Sequence, residues 1–308
     1  MGTPLVAILL ATLNGERFLA EQLDSYAGQT HTNWKLWASD DGSSDGTVDI
    51  LRSYQSKWGE DRLAIRSGPQ QGFAKNFMAL ASSKEIEAEY YAFSDQDDIW
   101  LPEKIHRAVR WLSSVPSSIP AMYCSRTELV DQFGNHIGHS PLFQRPASFK
   151  NALVQNIAGG NTIIFNRATK SLLNRIKQFS DIVSHDWLLY IFVAGVGGHV
   201  HYDPLGQIMY RQHDKNLVGA NSSPYAKIQR GVRLVRGDFK AWLDSNAQLL
   251  HENSHLLTAH NRALLRDFYG IRGKPLHVRL KELARLNIYR QTRAGSLSLS
   301  MASLLNKL

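Results

Sequence analysis

The chain is short of several things, and each shortage excludes a class of protein. One cysteine, Cys124, in 308 residues excludes an intramolecular disulfide framework and any cysteine-based zinc site, and makes a reducing compartment the default. The longest apolar run, residues 187–198, falls short of the ~20 residues a membrane-spanning helix needs. Met1 to Asn14 lacks the basic start and small-residue cleavage site of a signal peptide. No internal repeat or low-complexity segment occurs. The expectation is a soluble or peripheral globular protein, not an integral one.

What is present is ordinary in amount and uneven in placement. Hydrophobic residues make up 43% and charged residues 20%, values of a folded domain. The 35 Lys and Arg against 27 Asp and Glu give a formal charge of +8, which invites a nucleic-acid or membrane-surface partner. Residues 1–223 hold 20 basic and 22 acidic side chains, a net of −2, whereas residues 224–308 hold 15 and 5, a net of +10. A near-neutral body therefore precedes a basic tail.

Residues 1–115 alternate short apolar runs with helical periodicity, the pattern of a mostly parallel, Rossmann-like sheet flanked by helices. Strands are expected at Leu5 to Leu13, Trp34 to Ser39, Leu63 to Arg66 and Tyr90 to Ser94. Helices are expected from Phe18 to Tyr26, from the Asp41-Gly42-Ser43 turn to about Trp58, near Phe73 to Ser83, and from Pro102 onward. Residues 116–223 read as α+β, with strands at Ala121 to Ser125, Asn161 to Phe165, Val200 to Tyr202 and Gln207 to Tyr210. A hairpin turn at Phe133, Gly134 and Asn135 and a helix from Asp186 complete this part. Beyond Pro224 the leucine spacing predicts only helices.

In open α/β sheets the ligand crevice lies beyond the carboxyl ends of the strands. Three polar clusters fall there: Thr12, Asn14 and Glu16; Asp40 and Asp41; and Asp95, Gln96, Asp97 and Asp98. The first two also suit plain turns and caps. In the third, three carboxylates within four residues repel unless a cation or protons neutralise them, and oxygen donors of this kind suit Mg²⁺ or Mn²⁺. Asp98 also suits a cap on the helix opening at Pro102.

The stretches VAILLATLNGERFLAEQLDSYAGQT, WASDDGSSDGT and FSDQDDIWLPEKI, in that order, resemble the family 2 glycosyltransferases of GT-A fold, most of all their bacterial rhamnosyltransferase-type members. The likeness runs from about Leu5 to Gly219. It implies a GT-A domain over 1–223, with a nucleotide-binding half at 1–115 and an acceptor-binding half at 116–223; the basic helical region at 224–308 is read from its charge and leucine spacing. It also implies an inverting transfer of one sugar, dTDP-rhamnose leading among donors, to a saccharide or lipid-linked acceptor in bacterial surface polysaccharide (such as O-antigen) synthesis.

Carried over by motif, the resemblance implies that Thr12, Asn14 and Glu16 line the nucleoside pocket, with Asp41 on the pyrimidine and Asp40 beside it. Asp95 and Asp97 supply the Asp, any residue, Asp signature, flanking Gln96, with Asp97 the metal ligand on the diphosphate. Asp186 is the implied general base, although a carboxylate in a first helical turn also complements the dipole. Tyr210, Arg211, Gln212, His213 and Asn216 are similar to a donor-closing loop bounded by Gly219, which implies Arg211 on the diphosphate and His213 on the metal or a phosphate oxygen. Gly159, Gly160 and Asn161 fall where acceptor or donor sugar is met, or at a plain strand-entry turn. The processive synthases' Gln, two residues, Arg, Trp motif is absent, which favours single-sugar transfer.

In the tail, Arg230, Arg233, Arg236 and Lys240 recur along one helical face. Lys274, Arg279, Lys281, Arg285, Arg290 and Arg293 precede the apolar Leu297, Leu299, Met301, Leu304 and Leu305. The pattern suits the inner face of a bacterial membrane, in the cytoplasm, or a packing or homodimer edge. No nucleic-acid reading module accompanies the charge. The alternative to an enzyme is a catalytically silent nucleotide-sugar or glycan-binding module of the same fold.

Overall fold

The computed structural model describes residues 2–177, 182–214 and 238–305. Strands and helices follow in the order β1 (Val6–Thr12), α1 (Leu19–Ala27), β2 (Trp34–Asp40), α2 (Thr47–Trp58), β3 (Leu63–Ser67), α3 (Phe73–Ser82), β4 (Tyr90–Ser94), β5 (Ile99–Trp100) and α4 (Lys104–Leu112). Then come β6 (Ala121–Ser125), β7 (Glu128–Val130), β8 (His136–His139), α5 (Phe149–Ala152), β9 (Ile164–Asn166), α6 (Arg167–Leu173), α7 (His185–Gly195), β10 (His199–Asp203) and β11 (Ile208–Arg211). Four helices follow: α8 (Asp238–Glu252), α9 (Ala259–Gly270), α10 (Leu276–Leu286) and α11 (Arg293–Leu304).

The chain divides into two compact units, the first made of Met1–Pro141, Ala158–Arg175 and His201–Ala220, the second of Leu142–Ile157, Ile176–Val200 and Asn221–Leu308. In the first, strands run in the order β10-β6-β9-β4-β1-β2-β3. β3, β2, β1 and β4 are mutually parallel, with Thr12 level with Asp40 across β1 and β2. β9 is antiparallel to both β4 and β6, so the sheet is mixed. Val6 to Leu10 of β1 are wholly buried, as in a strand covered on both faces. Leu19, Leu23 and Tyr26 of α1 bury the 3.6-residue stripe visible in the sequence, against Val6, Ile8 and Leu10 among others in one core.

A smaller sheet, β5-β11-β7-β8, forms around the β7 to β8 hairpin. Its turn is made by Gly134 in the left-handed region (φ 86°) and by Asp131, whose carboxylate accepts from the amides of Phe133 and Asn135. Two expectations shift. α4 begins at Lys104, two residues after Pro102, and Asn161 lies in a 3₁₀ turn, Gly160–Thr162, so β9 begins only at Ile164.

In the second unit α7 is apolar all round, every residue buried except Asp186. The Trp187 indole N–H donates to the Ala152 carbonyl and the Tyr190 hydroxyl donates to Asn151 Oδ1. Tyr289, after α10, donates its hydroxyl to Pro146 O and accepts on its carbonyl from the Asn151 side chain. Lys240 lies on α8 and pairs with Asp244. Asn216, Gly219, Arg230, Arg233 and Arg236 lie outside the described residues. No helix among the described residues is long and apolar enough to cross a membrane.

Candidate active site

The carboxyl ends of β1, β2 and β4 lie side by side, and the loops that leave them are stitched together. Asn14 takes a left-handed conformation (φ 49°), which an Asn tolerates, and its Oδ1 accepts from the Ser44 amide at 2.8 Å. The Asn14 amide donates to Ser43 Oγ, the Gly15 amide to Thr47 Oγ1 and the Glu16 amide to Asp45. Glu16 returns a carboxylate to the Gly46 amide. Asp40 accepts from Thr12 Oγ1 at 2.9 Å, from Ser43 Oγ, and from the amides of Gly42 and Ser43. Asp41 accepts from the Gln70 and Gly72 amides at 2.6 and 3.1 Å, so it anchors the loop before α3. Thr12, Asn14, Glu16, Asp40 and Asp41 are thus brought together as one wall.

The Asp95 to Asp98 turn leaves β4, the strand beside β1. The Gln96 amide clasps the backbone of Leu13, accepting from its N–H and donating to its carbonyl. A Cβ on Gly15 would overlap that amide, so any larger residue there would displace the Gln96 side chain from Leu13. Asp95, Gln96 and Asp97 are half-buried, but Asp98 is fully buried. Its Oδ2 accepts from Asn161 Nδ2 and its Oδ1 from the Arg211 amide at 3.3 Å, while its own amide donates to Gln22 Oε1. The expectation that Asp98 caps the helix after Pro102 is not met, because its carboxylate is taken up by Asn161 and Arg211. Burial, reinforced by the charges of Asp97 and Asp95, pushes the Asp98 carboxyl well above the usual carboxylate range. Lys104 lies buried with its Nζ over the Trp100 ring, 3.1 Å from the centroid. Burial lowers its ammonium well below the usual range, against the pull of Asp98 and Asp95.

Asp97 and His213 meet at the open side of this turn, Asp97 Oδ2 and His213 Nε2 standing 2.9 Å apart, with the Phe18 ring 5.1 Å from the imidazole. Arg211, two residues before His213, is 1% exposed. Its Nε donates to the Asp97 carbonyl at 3.1 Å, Nη1 to the Gln132 carbonyl at 2.9 Å and Nη2 to Glu21 Oε2 at 2.6 Å, with the guanidinium over the Phe18 ring at 4.6 Å. In this arrangement Arg211, on β11, bonds to the protein itself and ties the backbone of the acidic turn to α1. Glu21, Phe18, Gln132 and Lys104 were not marked by sequence. Gln132 and Glu21 act through Arg211, 79 and 190 residues away, Phe18 through Arg211 and His213, and Lys104 through nearby Trp100; of the four, Phe18 alone lies on the helical stripe read from the sequence.

Among the described residues no three His, Cys, Asp or Glu side chains form a ready-made metal cage. Asp97 and His213 offer one oxygen and one nitrogen donor on the same side. A partial set of that chemistry fits a divalent cation that keeps waters and takes substrate phosphate oxygens, as Mg²⁺ or Mn²⁺ does.

Asp186 belongs to the second unit, in the first turn of α7, and its Oδ1 accepts from the Trp187 amide at 2.7 Å. Beside it His185 is fully buried, and that burial lowers its imidazole to about 4 against the opposing charge of Asp186.

This architecture and these motifs have relatives. dTDP-rhamnosyl transferase RfbG of Shigella flexneri is 32% identical over 240 residues, 74% of this chain and 79% of that protein. The mannosyltransferase PcManGT of Pyrobaculum calidifontis, solved in complex with GDP-Man and Mn²⁺, superposes with a TM-score of 0.54 at 18% identity, covering 100% of this chain and 86% of that one. TarS 1-349 of S. aureus, solved with UDP-GlcNAc, gives 0.56 at 16% identity over 98% and 88%. At those identities the two structures establish the GT-A fold. The family model for glycosyl transferase family 2 matches residues 7–173, more than half of the sequence, and the chain belongs to that family.

Proposed function

We propose that the protein transfers a single sugar from a nucleoside-diphosphate donor, with inversion, to a saccharide or lipid-linked saccharide acceptor, dTDP-rhamnose being the first donor to test. The observation that carries this reading is the acidic turn at the carboxyl end of β4. There Asp97 pairs with His213, and the neighbouring Gln96 is hydrogen-bonded to Leu13, between Thr12 and Asn14 of the cluster that also holds Glu16, Asp40 and Asp41. Similarity to the rhamnosyl transferase supports the choice of donor.

In this reading the wall receives the nucleoside, Asp95 and Gln96 contribute to binding the nucleotide sugar, and Asp97 and His213 would hold a divalent cation at the diphosphate. When bound, that cation supplies Lewis-acid neutralisation of the leaving group. Arg211 is a positioning residue that fixes the Asp97 carbonyl. Asp186 takes the proton of the acceptor hydroxyl as that oxygen bonds to the anomeric carbon, and the nucleoside diphosphate departs with the electron pair of the broken bond. The acceptor-binding half at 116–223, the basic region at 224–308 as a membrane contact, and a cytoplasmic site of action belong to the same proposal.

A panel of nucleotide sugars is screened for thermal stabilisation with Mn²⁺ present, and stabilising donors are then assayed for transfer. Asp97→Ala is expected to lose both metal-dependent stabilisation and turnover. Asp186→Asn is expected to keep donor affinity and lose transfer. Full turnover in Asp97→Ala would overturn the metal assignment, and full turnover in Asp186→Asn the base assignment.

A further inference from the structure

The second unit carries a surface that the transfer chemistry does not use. On α11, Leu297 is 64% exposed, Met301 48% and Leu304 54%, with Leu305 just past its end at 49%. At 100° per residue Leu297, Met301 and Leu304 fall within about 60° of one another, so they form one apolar ridge. The opposite side, Leu299 and Ala302, is buried. Arg293, one turn before Leu297, lies on the same flank. Between this helix and the segment at 142–145 runs an open groove of about 790 Å³, lined by Leu142, Arg145, Gln291, Arg293, Ser296 and Leu297 among others. Arg145 is held in place there: its guanidinium lies 3.8 Å from the Tyr289 ring centroid, Nη1 donates to the Arg290 carbonyl, and its amide donates to Gln291 Oε1.

The charge around the ridge is one-sided. Residues 259–305 contain nine Lys and Arg and two acids, Asp267 and Glu282. Both acids are ion-paired with Arg285. Among the described residues Lys274, Lys281 and Arg293 have no ion pair, and all three are exposed. A second copy docking through this same face would bring its own Arg145 and Arg293 into the interface, adding like charge that opposes the pairing. A surface that is apolar below and anionic above suits both features.

We propose that the ridge Leu297, Met301 and Leu304 docks on an anionic phospholipid bilayer, with Arg145 and Arg293 bearing on the lipid phosphates. This deepens the membrane contact proposed above and rests on it, but it needs no donor, metal or turnover. The test is co-sedimentation of the full chain with phosphatidylcholine vesicles with and without about one-third phosphatidylglycerol. Binding to the anionic vesicles is expected, weakening as salt rises. Arg145→Gln with Arg293→Gln is expected to weaken it roughly thirty-fold, from about a factor of five per charge. Leu297→Ser, Met301→Ser and Leu304→Ser together are expected to weaken it about a hundred-fold.

Since the triple variant alters a helix, Met301→Gln alone, a single exposed change, provides the second measure, with a severalfold loss expected and an unchanged thermal midpoint. No binding to the anionic vesicles would overturn the proposal, as would equal binding by the triple variant or equal binding to neutral vesicles. A doubled solution mass that the triple variant abolishes would overturn it in favour of a second copy. Vesicle binding without sugar transfer would leave this surface standing while the transferase reading fell. Transfer to a soluble acceptor without vesicle binding would do the reverse.

Discussion

His185 sets up a pH dependence whose size follows from its burial. The residue opens α7 in a wholly buried position, and its imidazole is lowered from the ordinary 6.5 to about 4, chiefly by desolvation. The positive end of the helix opposes its protonation as well. A histidine held neutral in the fold and free to charge when unfolded makes the unfolded state the better proton binder below pH 6.5. Its contribution to stability is therefore intact above about 6.5 and declines as pH falls toward 4. The full loss is about 3 kcal/mol from 1.36 kcal/mol per unit, of which about 2 kcal/mol is lost by pH 5. The assay is urea unfolding at pH 7.5 and pH 5.0 for the native chain and for His185→Gln, which cannot titrate. The variant is expected to be less stable at pH 7.5, yet to lose about 2 kcal/mol less than the native chain between the two values. The same pH-dependent loss in both proteins would refute the argument, because it would assign the slope to other groups.

Arg211→Lys keeps the charge but cannot serve Glu21, Asp97 and Gln132 together. A stability loss of about 2 to 3 kcal/mol in urea, two to three hydrogen bonds' worth, is expected, together with weaker Mn²⁺-dependent donor binding. Gly68→Ala would set a Cβ 2.6 Å from Asp41 Oδ1 and 3.1 Å from the Asp40 carbonyl, forcing backbone or carboxylate to shift. About 1 to 3 kcal/mol of destabilisation and a weaker nucleotide affinity are expected, read by a thermal melt and by titration calorimetry. Asp97→Asn and Asp98→Asn, though neighbours, are expected to separate. The first should lose metal-dependent donor binding with the melt nearly unchanged. The second should chiefly shift the melt, because its carboxyl bonds Asn161 and the Arg211 amide inside the protein; equal effects on metal binding would contradict the distinction.

The strand and helix cycle of the first half was legible because each element there carries its own period. The unbroken apolar run at Val6–Thr12 marks a strand covered on both faces, and Leu19, Leu23 and Tyr26 mark a helix with one buried stripe. The antiparallel entry of β9 was not legible. Its three residues, Ile164–Asn166, are too few to carry a period, and their direction is set by pairing with Tyr90–Ala92 far away in sequence. The helix start at Lys104 moved for a local reason: Leu101 O accepts from the Lys104 amide in a turn that precedes α4.

In the acidic cluster, composition announces a cation but does not distribute the work among the carboxylates. Burial does. Asp98 points inward, where Asn161 and the Arg211 amide satisfy it and buried Lys104 is near enough to bias it. A carboxyl so placed is engaged inside the protein. Asp95 and Asp97, two residues apart, are half-buried, and Asp97 meets the imidazole of His213, which follows β11. The three carboxylates therefore divide into one that locks the turn to its neighbouring strands and two that can answer to solvent. What makes Asp97 usable is the immobility of its own backbone, held at the carbonyl by a guanidinium that is anchored from α1 by Glu21. A carboxylate on a backbone fixed in this way has less conformational freedom to lose in any contact it makes, which is the physical reason to place preorganisation in a buried arginine.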